Sequence, residues 1–283
     1  MTRTVYVNGE FVDASSATVS IFDRGFLFAD GIYEVVAVMD GKLIDFPGHM
    51  SRLRRSLREI NIPEPMSEDE LLAVIRQLVS SNALEEGLVY MEVTRGTAER
   101  DFVFSADLNP TVVMFSQVKE LVENQAGRDG VKLKSVPDLR WARRDIKSVG
   151  LLAQVLAKQA AKSAGAYEAL MIKDGHVTEG GSSSAYIIKD GVVVTHPLSN
   201  DILPGITRAS LLDLVAANEI SLDERAFTLE EAYAADEAFI TAASTYVCPV
   251  VAIDDRPIGS GTVGPIVRRL QQLYLENARA TAV

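Results

Sequence analysis

Lys147 stands just ahead of an amphipathic stretch in DLRWARRDIKSVGLLAQVLAKQ (138–159), among charged neighbours. A primary amine so placed can form a Schiff base with an aldehyde cofactor. Most lysines are solvated surface groups, and Lys158 and Lys162, inside the helix that the apolar spacing predicts next, fit that plainer role. Two further segments suit an anion. VTEGGSSSAYIIKDG (177–191) sets a carboxylate, Glu179, before two glycines and three serines, Ser182 and Ser183 among them. Such a run can present backbone N–H groups and hydroxyls to a phosphate, although a mobile surface loop has the same letters. In ILPGITRAS (202–210), Gly205 precedes Ile206 and Thr207 at a helix start, where free N–H groups and the helix dipole attract negative charge. An ordinary capped helix would read the same way. Neither glycine-bearing segment matches a nucleotide P-loop or a dinucleotide fingerprint.

These residues need elements to hold them. The first hundred residues alternate short strands with turn signals: TVYVNGEFV reads as a hairpin about Asn8-Gly9 and YEVVAVMDGKLIDF as another about Asp40-Gly41. Leu53, Leu57 and Ile60 recur at helical spacing within 49–60, a helix able to aim one of its arginines inward. A second helix fits 68–81, and strands fit 87–94 and 111–117. The polar stretch ENQAGRDG (123–130) reads as a linker. Beyond it the pattern predicts a strand at 131–135, a helix at 151–164, a hairpin turning at Asp190-Gly191, helices at 207–219 and 262–279, and strands at 237–241 and 248–253. The expected organisation is an N-terminal α/β domain over 1–120, a linker over 121–130 and a C-terminal mixed α/β domain over 131–283.

Composition narrows the function class. A net charge of −11, from 28 basic and 39 acidic residues, disfavours a general role on nucleic acid or anionic membrane. No stretch approaches the roughly 18 apolar residues that a membrane span needs, and no secretion signal is read at the start. One cysteine, Cys248, and three histidines, His49, His176 and His196, offer no internal disulfide and no metal-ligand spacing. A cytoplasmic setting and metal-free chemistry are the expectations.

Taken together, DRGFLFADGIYEVV (23–36), HMSRL (49–53), VTRGTAER (93–100), DIKSVGLL (145–152), VTEGGSSS (177–184) and GITR (205–208) form a collinear set. In that set the chain resembles the fold-type IV enzymes that use pyridoxal 5′-phosphate (PLP), and within them the bacterial D-amino-acid transaminases. The resemblance implies a two-domain α+β fold with mixed α/β layers, an active site in the cleft between domains and at the interface of a homodimer, and Lys147 as the cofactor lysine and proton shuttle. It implies Glu179 against the pyridine nitrogen, a phosphate held by Arg52, Ile206, Thr207 and neighbouring polar groups such as Ser182, Ser183 and Ala243, and Tyr33 on the substrate side. Two departures stand out. Ala242-Ala243 replaces a Ser-Thr pair, with Ser244 and Thr245 following, so backbone N–H groups must serve where hydroxyls are lost. The R-x-H motif that traps the substrate carboxylate reads Arg100-Asp101-Phe102, so Phe102 offers no donor where histidine is expected.

The leading expectation is a transaminase moving amino groups between D-amino acids such as D-alanine and 2-oxo acids such as 2-oxoglutarate or pyruvate. An (R)-amine transaminase, a branched-chain aminotransferase and an aminodeoxychorismate lyase share the fold. GIYEVVAV lacks the arginine associated with the branched-chain enzymes. A PLP-binding protein without catalysis is the non-enzymatic alternative, and the joint presence of Lys147, Glu179 and Tyr33 speaks against it.

Overall fold

The computed structural model describes residues 3–283, which divide into two compact units. The first runs to Glu120 and takes in Ile146–Gly150 and Thr281–Val283; the second comprises Leu121–Asp145 and Leu151–Ala280.

The first unit contains β1 (Thr4–Val7), β2 (Glu10–Asp13), α1 (Arg24–Phe28), β3 (Gly31–Met39), β4 (Lys42–Leu43), α2 (Phe46–Glu59), α3 (Glu68–Ser81), β5 (Gly87–Thr94) and β6 (Thr111–Val118). Its strands form one antiparallel sheet in the order β2-β1-β6-β5-β3-β4. Both expected hairpins form, with Asn8 and Gly9 at φ 48° and 101° and Asp40 and Gly41 at 52° and 71°, the left-handed pair that a two-residue turn requires. Helix α3 begins on a capping box, Ser67 and Glu70 satisfying each other's backbone N–H groups. On β3 the residues Ile32, Val36 and Val38 enter the core with Leu53 and Leu57 of α2 and Ile75 and Leu78 of α3. Glu34, on the same strand face, is a carboxylate with 0% exposure.

The detached segment Ile146–Gly150 lies along the free edge of β3. The Tyr33 N–H donates to the Lys147 carbonyl at 2.9 Å, the Val149 N–H donates to that of Gly31 at 3.1 Å, and Ile146 joins the core. Backbone pairing and one buried isoleucine therefore fix Lys147 against Tyr33.

The second unit contains α4 (Gln125–Asp129), β7 (Val131–Pro137), α5 (Leu152–Ser163), β8 (Glu168–Lys173), β9 (His176–Gly180), β10 (Ser184–Lys189), β11 (Val192–Thr195), α6 (Ile206–Ala217), β12 (Leu222–Glu224), α7 (Leu229–Tyr233), β13 (Glu237–Ala242), β14 (Tyr246–Ile253), β15 (Arg256–Pro257) and α8 (Pro265–Thr281). The sheet order is β12-β11-β10-β13-β14-β7-β8-β9, with β15 on β14. Parallel pairs, β7 with β8 and β14, sit beside antiparallel hairpins. The core joins Leu133, Leu170, Ile187, Ile240 and Val250 from the sheet to Phe227 and Ala232.

The expected division differs from this in two places. Residues 121–130 are no free linker: 125–129 form α4, and the Gly127 carbonyl accepts from Gln271 at 3.0 Å within the second unit. Residues 146–150 leave the second unit for the first, because their partners are the β3 edge and the first core.

Candidate active site

In the first unit the reactive candidate is an amine held over a ring. Lys147 Nζ lies 4.2 Å from the centroid of the Tyr33 ring. No carboxylate among the described residues pairs with it. The Lys147 N–H reaches toward Ser56 Oγ of α2 at 3.5 Å, one helical turn beyond Arg52. Arg52 turns inward, as one arginine of that helix was expected to. Its Nε and Nη2 donate to the two oxygens of Glu34 at 2.8 and 2.7 Å, a bidentate pair. His49 Nδ1 lies 2.7 Å from Glu34 as well. Burial alone would raise the Glu34 carboxyl, but the Arg52 charge and the hydrogen bonds from Arg52 and His49 hold it well below the usual carboxylate range.

The second unit carries a denser array of charge. Glu179, 4% exposed at the end of β9, pairs with Arg140 and accepts the Leu203 N–H at 3.1 and 3.2 Å. Arg140 in turn donates to Asp138 through Nε at 2.9 Å and Nη2 at 2.7 Å. Burial pushes the Glu179 carboxyl above its ordinary value, with Arg140 acting against the rise. Asp138 goes the other way: burial opposes it, but the Arg140 hydrogen bonds and charge hold it low.

After Glu179 the chain makes a tight turn in which the Gly180 N–H donates to the Ser183 carbonyl at 2.7 Å. A Cβ at Gly180 would meet Ser183 Oγ at 2.1 Å, and one at Gly181 would meet Glu168 Oε1 at 2.8 Å, so a larger residue at either place would have to displace those side chains. Ser183 is buried, and its hydroxyl finds no hydrogen-bond partner among the described residues. Thr245 Oγ1, in the turn between β13 and β14, is orphaned in the same way. Helix α6 starts at Ile206 on an N-cap, Gly205, that gives it no side-chain hydrogen bond, leaving first-turn N–H groups for another acceptor. Buried hydroxyls and helix N–H groups lacking acceptors suit an oxyanion such as a phosphate.

The model of the family described as amino-transferase class IV matches residues 31–253. The chain belongs to the class IV aminotransferases. It is 42% identical over 269 residues to a D-alanine aminotransferase of Staphylococcus aureus (strain MSSA476), covering 95% of each chain. Its fold superposes on the branched-chain amino acid aminotransferase of Escherichia coli with a TM-score of 0.93 at 24% identity, over 98% of this chain and 95% of that one, a likeness of fold alone. The branched-chain aminotransferase of the thermophilic archaeon Thermoproteus uzoniensis, solved with norvaline, gives 0.88 at 26% identity, over 99% and 96%.

Within this class IV aminotransferase the expected residues fall into separate groups. Lys147, Tyr33 and Arg52 gather in the first unit, Glu179, Ser183, Ile206 and Thr207 in the second. Ser182 does something other than expected: it is exposed, and its hydroxyl donates to Glu168 at 2.9 Å and accepts from Lys158 Nζ at 2.8 Å. Ala243 is half-buried in the 242–245 turn, and Thr245 keeps a hydroxyl there despite the Ala-Ala departure. Arg100 is exposed, its guanidinium 5.4 Å above Phe28 and 5.7 Å above Phe102, which is 77% exposed. Sequence reasoning missed Glu34, His49 and Arg140. All three lay inside quoted segments without a role, Glu34 in 23–36, His49 in 49–53 and Arg140 in 138–159.

Proposed function

We propose that this class IV aminotransferase exchanges an amino group between D-amino acids, D-alanine above all, and 2-oxo acids such as pyruvate and 2-oxoglutarate, using PLP. The observation that carries the reaction type is the Lys147 amine, unpaired with any acid among the described residues and set over the Tyr33 ring. The D-alanine aminotransferase relative supports the donor. Bound PLP supplies an aldehyde that takes up the donor's nitrogen and a ring that accepts electrons from its α-carbon.

Lys147 would hold the cofactor by its aldehyde and would carry a proton to and from the donor's α-carbon; its mount on the β3 edge limits how far the amine can stray. Tyr33 lines the substrate beside it. Glu179 keeps a proton on the ring nitrogen, and Arg140 keeps Glu179 in place. Ser183 and Thr245 hydroxyls and the N–H groups of Ile206, Thr207 and Ala243 receive the phosphate, with Arg52, oriented by Glu34, adding positive charge. Arg100 recognises the carboxylate, with Phe102 supplying apolar surface only. The working form is a homodimer, a reading to which exposed Phe26, Phe102 and Val103 lend support, and its setting is a reducing cytoplasm.

Pyruvate release from D-alanine in the presence of 2-oxoglutarate tests this. We expect turnover with D-alanine and far less with L-alanine. Equal rates, or pyruvate formed without an acceptor beyond one equivalent, would contradict it.

A further inference from the structure

The face of the first unit's sheet that turns away from its core is half-exposed and carries Tyr33 and Val35 of β3, Tyr90 and Glu92 of β5, and Val113 and Phe115 of β6. Tyr33 and Glu92 stand directly opposite each other in the β3–β5 register, which puts their Cβ atoms about 5 Å apart. The ring of Tyr33 stacks on that of Tyr90 at 5.6 Å, and Tyr90 on Phe115 at 4.8 Å. The Tyr90 hydroxyl donates to Glu92 at 2.6 Å, a bond that suits an ionised acceptor. No lysine or arginine among the described residues pairs with Glu92. Burial pushes the Glu92 carboxyl above its ordinary value, the Tyr90 hydrogen bond acts against the rise, and a second carboxylate, Asp23, adds to it. Thus the strand wall beside Tyr33 presents a carboxylate flanked by aromatic rings; Lys147 lies over the Tyr33 ring and Arg3 over that of Phe115, but no cation among the described residues forms an ion pair with Glu92.

We propose that Glu92 is a specificity-determining residue, whose carboxylate makes the Tyr33 side of the Lys147 site unfavourable to anionic donors and so narrows the preference for amino acids over amines without a carboxylate. This rests on the reading of Lys147 and Tyr33 as the reacting side. The physical reason is like-charge repulsion where aromatic rings and burial reduce the screening that water would provide. Every amino-acid donor brings an α-carboxylate, whereas an amide of the same shape brings none.

The test compares D-alanine with D-alaninamide in the first half-reaction of the holoenzyme, wild type against Glu92→Gln, which keeps an acceptor for the Tyr90 hydroxyl. We expect the ratio of kcat/KM for D-alanine to that for D-alaninamide to rise roughly fivefold. Glu92→Thr, a substitution at home in a strand, gives the same shift should the glutamine variant fail to fold. A ratio that stays within twofold or falls, with D-alanine reacting, overturns this proposal alone. Absence of D-alanine reaction in the wild type overturns the transaminase reading, and this proposal with it.

Discussion

The two units keep their charges in opposite ways. In the first, the lysine amine faces a tyrosine ring, and the neighbouring arginine is already matched by Glu34, which His49 also contacts. In the second, Glu179, Arg140 and Asp138 form a chain of acid and base, while two hydroxyls and the start of α6 stand without acceptors. A group that must transfer protons is best left unpaired, since an ion pair would hold its proton. Groups that must grip a charged cofactor are best left with donors to spare. The first unit thus readies a reactive atom, and the second readies a binding surface.

The sharpest break of this contrast is Lys147→Ala. It should remove multiple-turnover transamination, a fall of at least roughly 10²–10⁴-fold, with the circular dichroism spectrum unchanged because the segment is held by backbone bonds and Ile146. Steady-state activity near wild type would move the chemistry elsewhere. Glu34→Gln should act on folding, since it leaves Arg52 buried without its charge partner at a cost of about 3–5 kcal/mol. Its carboxyl is depressed in the folded state, so its contribution is fully present above the ordinary carboxylate value and is lost as pH falls through the lower folded-state value. Wild type should therefore melt at a higher temperature than Glu34→Gln at neutral pH, with the gap kept down to the ordinary carboxylate range and narrowing only at more acid pH; coincident melting temperatures at neutral pH would contradict the pair's role.

Glu179→Gln strikes the second unit and should weaken cofactor retention and slow turnover while leaving the melting temperature of the apoenzyme nearly intact, because burial already works against the Glu179 charge. Unchanged kinetics would mean that another group meets the ring nitrogen. Arg100→Ala should have the smallest effect. It should impair D-alanine more than (R)-1-phenylethylamine, since only the acid loses an ionic partner, and equal losses would remove Arg100 from carboxylate recognition.

Much of this was legible in the sequence where local chemistry decides. The hairpins at Asn8-Gly9, Asp40-Gly41 and Asp190-Gly191 and helix α3 follow from turn and cap residues. The hairpin at Asp174-Gly175 has the same left-handed turn, φ 50° and 80°, yet escaped notice because β8, EALMIK, is a buried run without alternation. Lys147, Glu179, Ile206 and Thr207 were visible as members of collinear motifs. Glu34 stood in such a motif too, but its role did not show, because period-two patterning shows which way a side chain points and says nothing of partners 15 and 18 residues on. The exchange of 146–150 to the first unit was equally hidden, since it is a long-range edge pairing with no local signature.

The most direct measurement mixes wild-type holoenzyme with a single amino acid and no acceptor, and follows the cofactor's absorbance as it passes to the amino form. D-Alanine should convert it and L-leucine should do so far more slowly, with neither reacting in Lys147→Ala. Faster conversion by L-leucine than by D-alanine, or conversion by D-alanine at the wild-type rate without Lys147, would contradict the assignment.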